Sequence, residues 1–405
     1  MATTTTRKTE PRLRRAHLAV AAIFAVHGSV SGSFATRIPW IQEHAGLSAG
    51  QLGFALVFAA LGASAAMPLA ARIAHVLGMR AALRVLIGLW CASLALPALS
   101  PGLPWLCGAM LVYGASAGMA DVVMNAQGVE VEERLGRSIM SGLHGMWSAG
   151  ALIGSLVGVV AAHAGLDARV HLATVAAVLV ATGLLVCGGV LDLRPAQHEE
   201  APARFALPPR SALVIGAIGF CAVFAEGASM DWSAVYLRDI AAASPAVAAA
   251  SYTAFACTMA VSRLLGDIVV RRFGPVRTVR VGGVLATAGG VLVATAANQI
   301  AAIAGFALLG VGIAVVVPLC FAAAGRSGPN PSQAIAGVAT VTYTSGLVAP
   351  AAIGSIAQAS SLQASFGLVT LLAAGLTLGA GVLRAAGTSA GEPADKPVAV
   401  ATPHA

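Results

Sequence analysis

Apolar residues run along this chain in blocks of about twenty, each closed by a short polar break. The blocks fall at 16–36, 49–70, 82–100, 103–128, 141–163 and 168–190, then at 211–234, 246–265, 276–296, 299–324, 333–357 and 363–384. A helix needs about 20 apolar residues to cross the hydrocarbon core of a bilayer. The pattern predicts an all-α membrane protein with twelve transmembrane helices. Its longest polar interruption, 191–210, holds Asp192, Arg194, Glu199, Glu200, Arg204 and four prolines. That stretch reads as a cytoplasmic linker between two six-helix bundles, 16–190 and 211–384. Residues 1–15 and 385–405 read as cytoplasmic tails, the second an Ala/Gly/Pro-rich segment expected to be disordered.

Composition agrees with this pattern. Of the 405 residues 58% are apolar and 10% charged, against about 25% charged in a soluble domain. So few charges cannot cover a water-facing surface, whereas lipid needs no such cover. The net charge of +8 matters less than its placement. With the first residue on the cytoplasmic side, all but Arg37, Arg169 and Arg238 of the 24 Lys/Arg fall on that side. Basic residues are held in the cytoplasm during insertion, so both termini are expected there, and moving one boundary by a span would spoil the asymmetry. Nucleic acid is not an expected partner; the lipid bilayer is.

Several chemistries find no support in the sequence. The six cysteines lie in apolar runs without a CxxC and read as buried spacers, not as a disulfide or metal site. There is no Walker P-loop, HExxH or GxSxG, so neither ATP hydrolysis nor enzyme chemistry is expected, and no cofactor or metal is implied. No cleavable signal peptide is read at the start, where a polar basic stretch leads into a span long enough to stay in the membrane.

After the eighth span the chain reads Arg263-Leu-Leu-Gly266-Asp267-Ile-Val-Val-Arg271-Arg272-Phe-Gly274. Glycine lets two helix ends approach closely, and an aspartate there can accept from a helix N-terminus or pair with arginine. This junction resembles the cytoplasmic loop signature of the major facilitator superfamily. Setting Gly78 against Gly274 puts Ala71 opposite Asp267, so the first copy has lost its acid and any latch should be stronger in the second half. The stretches Phe34–Pro39, Asp121–Asn125, Ser141–Ser148 and Glu226–Arg238 further resemble a YbjJ-like bacterial branch of that superfamily. The resemblance implies two bundles related by a pseudo-two-fold axis, an inner-membrane location, a monomer, and a proton-coupled or facilitative carrier distantly similar to sugar symporters. It supplies no substrate.

An ionisable group at membrane depth is costly unless it faces protein or water. Asp121 and Asn125 share one face of span 4 with Gly114 and Gly118. They read as a proton-binding carboxylate beside a substrate-contacting amide, or as a helix–helix tie. Glu226 and Asp231 in span 7 are further proton-site candidates, with an ion pair of Asp231 to Arg37 or Arg238 as the alternative. His27, in the middle of span 1, reads as a coupling residue or a neutral imidazole bonded across helices. Arg37 could meet an anionic substrate or anchor at the interface. His144 and Trp147 open span 5, where the tryptophan is a belt residue or a stacking surface for a sugar-like ring. Tyr343 and Thr344 in span 11 read as cavity lining, or as hydroxyls serving backbone freed near Pro350.

The expected function is secondary active transport of a small solute by alternating access, through proton-coupled uptake of a polar or sugar-like metabolite. The alternatives are proton-driven efflux of amphipathic compounds and a non-transporting sensor that kept the carrier fold.

Overall fold

The computed structural model describes residues 6–136, 139–192, 210–326 and 331–384. Most of the expected linker and the whole C-terminal tail lie outside the described residues.

Twelve long helical segments follow the twelve apolar blocks. The first half holds α1 (Thr6–Ala35), α2 (Ala49–Leu77), α3 (Met79–Ser93), α4 (Leu103–Leu135), α5 (Met140–His163) and α6 (Ala168–Val186). The second holds α7 (Arg210–Asp239), α8 (Pro245–Phe273), α9 (Pro275–Ala294), α10 (Gln299–Ile313, resumed at Val316–Gly325), α11 (Pro331–Ala359) and α12 (Leu362–Gly379). α1 begins ten residues before its apolar block, inside the stretch read as an N-terminal tail. Among the described residues eleven helices are long and apolar enough to cross a membrane, and α11, with 29 residues, has the length to do so.

The two halves repeat each other. α1 packs on α5 as α7 packs on α11, α2 on α4 as α8 on α10, and α3 on α6 as α9 on α12. The two main interfaces between the bundles, α5 with α8 and α2 with α11, are also counterparts under this repeat. Local structure repeats at the same spacing. Gly78 joins α2 to α3 at φ 78° and ψ 151°, and Gly274 joins α8 to α9 at φ 77° and ψ 161°. Positive φ is open to glycine at little cost, so each single residue turns the chain between two helices. Ser48 caps α2 by accepting from the Gln51 N–H, and Ser244 caps α8 by accepting from the Val247 N–H. Just before them stand Gly46 at φ 65° and Ala242 at φ 47°.

Close helix packing uses small residues. A Cβ on Gly28 would fall 2.0 Å from the Trp147 carbonyl oxygen, and one on Gly150 would fall 1.9 Å from that of Ala25. α1 and α5 thus meet backbone to backbone. In lipid, where burial gives no hydrophobic gain, such van der Waals contact is what holds helices together. The Gly114 and Gly118 face of α4 is likewise filled by Ala59 and Ala63 of α2.

Candidate functional site

One end of the molecule, carrying the α1–α2 and α7–α8 connections, is sealed between the bundles. Arg238, at the end of α7, donates from Nη1 to the Pro39 carbonyl and from Nη2 to Gln42 Oε1 at 2.8 Å. Its Nε bonds Asp239 at 2.6 Å. Beside it α2 and α11 touch, with a Cβ on Gly354 reaching 2.9 Å from the Gly53 Cα. The Gly50 N–H donates to Gln358 Oε1. Arg238 and Gln42 are 196 residues apart, the spacing that relates Gly78 to Gly274. The bond therefore joins equivalent positions of the two halves, across the pseudo-two-fold axis.

Below this seal lies a polar cluster shared by both bundles. Arg263 of α8 donates through Nη2 to both carboxylate oxygens of Glu226 in α7, at 3.0 and 3.1 Å. Its Nη1 donates to Ser148 Oγ in α5 at 3.3 Å, across the bundle boundary. Its Nε reaches the Ala314 carbonyl at 3.4 Å, where α10 is interrupted. A broken helix leaves carbonyls without partners, and the guanidinium serves one of them. On the other bundle, Asn125 donates to Asp121 Oδ1 at 3.0 Å within α4. His144, exposed one turn into α5, interacts electrostatically with both Asp121 and Arg263. The four side chains Asp121, His144, Arg263 and Glu226 form a polar chain across the axis.

A second group lies between this chain and the seal. Asp231, partly buried, interacts electrostatically with Tyr113 of α4 and Tyr252 of α8, both buried. Among the described residues no donor or cation pairs with its carboxylate. Tyr113 also interacts with Ser31 of α1. His27 uses both ring nitrogens. Nδ1 accepts from Trp147 Nε1 at 3.0 Å, and Nε2 lies 3.4 Å from the Ala117 carbonyl. A neutral imidazole with its proton on Nε2 satisfies both contacts. Trp90 stacks on His27 at 4.9 Å and packs on Tyr113 at 4.4 Å.

Other sequence candidates lie elsewhere. Arg37 is buried and donates to His171 Nδ1 at 3.0 Å and to the Leu166 carbonyl at 3.1 Å, so it ties α1 to α6 and does not reach Asp231. Burial lowers its pKa, an effect that Asp167 partly offsets. Thr344 is exposed and bonds the Thr340 carbonyl of its own helix at 2.7 Å. The side chains of Tyr343 and Asp267 lie outside those described. Sequence reasoning gave no role to Tyr113, Trp90, Ser148 or Tyr252. A signal was present for the tyrosines: the chain has four, and Tyr113, Tyr236 and Tyr252 are all buried within the spans.

The family model described as Major Facilitator Superfamily matches residues 20–346. The chain belongs to the major facilitator superfamily. It is 33% identical over 368 residues to an uncharacterised transporter, y4wD, of Sinorhizobium fredii, covering 90% of this chain and 97% of that one. It is 36% identical over 350 residues to an uncharacterised MFS-type transporter of Yersinia pestis, covering 86% and 91%. Membrane protein MosC of Rhizobium meliloti is 30% identical over 362 residues, covering 87% and 86%. Among solved structures, a variant of the nucleoside transporter NupG superposes with a TM-score of 0.74 at 13% identity, covering 91% and 99%. A D-xylose–proton symporter superposes at 0.70 and 13%, covering 91% and 97%. At such identity these structures speak to the fold alone. Together with the family and relatives, they make this major facilitator protein a multi-pass secondary transporter of small molecules.

Within that fold the loop signature divides into two parts. Gly266 packs on Val315 so tightly that a Cβ would come 2.6 Å from its Cγ1, and Gly274 makes the hinge. Arg272 lies over the Phe273 ring at 5.6 Å, and Arg271 is exposed. Arg263, which the sequence pattern groups with this loop, sits instead in the central cluster as the partner of Glu226.

Proposed function

We propose that the protein is a proton-coupled symporter that takes up a polar, sugar- or nucleoside-like metabolite across the bacterial inner membrane. It would act as a monomer with both termini in the cytoplasm. On this reading the sealed end faces outward and the hinge end, with Gly78 and Gly274, faces the cytoplasm. The side assignment rests on the Lys/Arg asymmetry. One observation carries the coupling: Asp231 is a partly buried carboxylate without a cation or donor partner among the described residues, within electrostatic reach of two tyrosines from opposite bundles. A carboxylate with no counter-charge is free to take up a proton, and losing its charge lets the surrounding groups close around a solute. Glu226 is neutralised by Arg263 and holds the bundles in register through Ser148. Asp121 and His144 provide a second titrating pair toward the hinge end. The hydroxyls of Tyr113 and Tyr252, with the ring of Trp147, suit a flat polyhydroxylated solute.

The test is solute-driven proton movement into proteoliposomes carrying an internal pH-sensitive dye. Sugars, polyols, nucleosides and amphipathic dyes would be screened, and each hit repeated with Asp231→Asn and Asp121→Asn. Proton entry with a polar solute, lost in Asp231→Asn, is expected. Solute flux indifferent to pH and to both substitutions would leave a facilitator. Proton entry coupled to dye movement in the opposite direction would establish efflux.

A further inference from the structure

A groove of about 550 Å³ runs along the outside of the second bundle between α8, α9 and α10, away from the axis. Leu265, Val269, Phe273 and Val281 line it with exposed apolar surface. An apolar wall facing outward at membrane depth meets acyl chains, not water. At the hinge end of the groove stand Arg277 and Arg280, one turn apart on α9 and both exposed. No acidic side chain among the described residues pairs with either.

Two features define the surroundings of these arginines. They stand in the first two turns of α9, which has no acidic residue in its first turn. Positive charge is unfavourable there, because the helix N-terminus is itself positive. The equivalent positions of the first half are Ala81 and Arg84, so a single arginine stands there, and its neighbour Arg80 is tied down. Arg80, at the start of α3, bonds the Val190 carbonyl at 2.9 and 3.1 Å and pairs with Asp192 at 3.7 Å. Its charge is met within the protein, whereas that of Arg277 and Arg280 is met by nothing described. A phosphate between them would answer both arginines and the helix N-terminus.

We propose that this groove binds one anionic phospholipid, its phosphate held by Arg277 and Arg280 and an acyl chain lying along Leu265, Val269, Phe273 and Val281. The inference stands apart from the transport reading and uses no residue of the central site. Because Gly266 also lines the groove and Gly274 forms the hinge beside it, the lipid would bind where α8 and α9 turn against each other.

The experiment titrates the purified full chain in non-ionic detergent with phosphatidylglycerol or phosphatidylethanolamine, reading bound lipid by native mass spectrometry. Each arginine near an anionic headgroup contributes roughly a five-fold gain in binding. Arg277→Gln with Arg280→Gln should therefore weaken phosphatidylglycerol binding about 25-fold and leave phosphatidylethanolamine unchanged. Val281→Trp fills the groove, keeps both arginines, and should weaken phosphatidylglycerol as well. Inorganic phosphate should not displace the lipid. Each variant's unfolding temperature in phosphatidylethanolamine alone checks that it is folded. Equal phosphatidylglycerol binding by the wild type and both variants overturns the proposal. So does displacement by inorganic phosphate, which would mean an anion site without the groove.

Discussion

Replacing Arg238 by alanine should open the sealed end. The side chain makes two hydrogen bonds across the axis, to the Pro39 carbonyl and Gln42 Oε1. A hydrogen bond to a charged group contributes about 1.5–3 kcal/mol when desolvated. The Arg238 side chain is 24% exposed, which moves each bond to the low end or below it. Together they hold the seal by about 2 kcal/mol, or roughly a 30-fold ratio between sealed and open forms. Gln42→Ala removes one of the two bonds and should give about 1 kcal/mol, roughly five-fold. The assay is double electron–electron resonance between spin labels at Glu43 and Ala246, which flank the seal, with the six native cysteines replaced. The long-distance population should grow in the order wild type, Gln42→Ala, Arg238→Ala. Identical distance distributions in all three would refute the reasoning, since they would mean that the glycine contact of α2 with α11 holds this end unaided.

Four further outcomes follow from the same physics. Glu226→Gln leaves the partly buried Arg263 without its counter-charge and should lower stability by about 1–3 kcal/mol; adding Arg263→Gln should recover part of that loss in thermal unfolding. Ala242→Gly relieves a left-handed backbone where the first half has glycine, and should stabilise by about 1 kcal/mol in denaturant unfolding. Gly28→Ala puts a methyl against the Trp147 carbonyl and should cost about 1–3 kcal/mol, with the tryptophan emission shifting as the Trp147–His27 bond is lost. Asp167 caps α6 by accepting from the Arg169 N–H and side chain, and this holds its pKa at about 2, below the usual value for aspartate. A carboxylate whose folded pKa is depressed contributes stability that is complete above its unfolded pKa and is lost as pH falls through the folded one. Thermal unfolding between pH 5 and 2 should therefore fall more steeply in the wild type than in Asp167→Asn.

Much of the architecture could be read directly from the sequence, because the bilayer demands long apolar helices and little else. The twelve blocks and the Gly78–Gly274 equivalence both lie in local pattern. The site was legible only in its membership. A deep charge announces that it needs a partner, but the partner is set by tertiary packing. Glu226 and Arg263 are 37 residues apart, and the contacts of His27 lie 90 and 120 residues away. Arg263 stands three residues from Gly266, so sequence proximity grouped it with the loop, whereas the helix turns its side chain inward. Arg37 looked available to a substrate until His171, 134 residues on, claimed it. The interruption of α10 does have a sequence cause, Pro318, whose missing N–H leaves the Ala314 carbonyl four residues earlier without its helical partner.

The bond between Gln42 and Arg238 also bears on how such a chain came to be. A residue beside a two-fold axis faces its own copy. In an assembly of two identical halves, glutamine can satisfy itself there, because an amide is both donor and acceptor. Arginine cannot, because it only donates. The directional pair seen here requires two different residues at one equivalent position. It is open only to halves that are no longer identical, as in a single polypeptide, where each copy is free to change without the other.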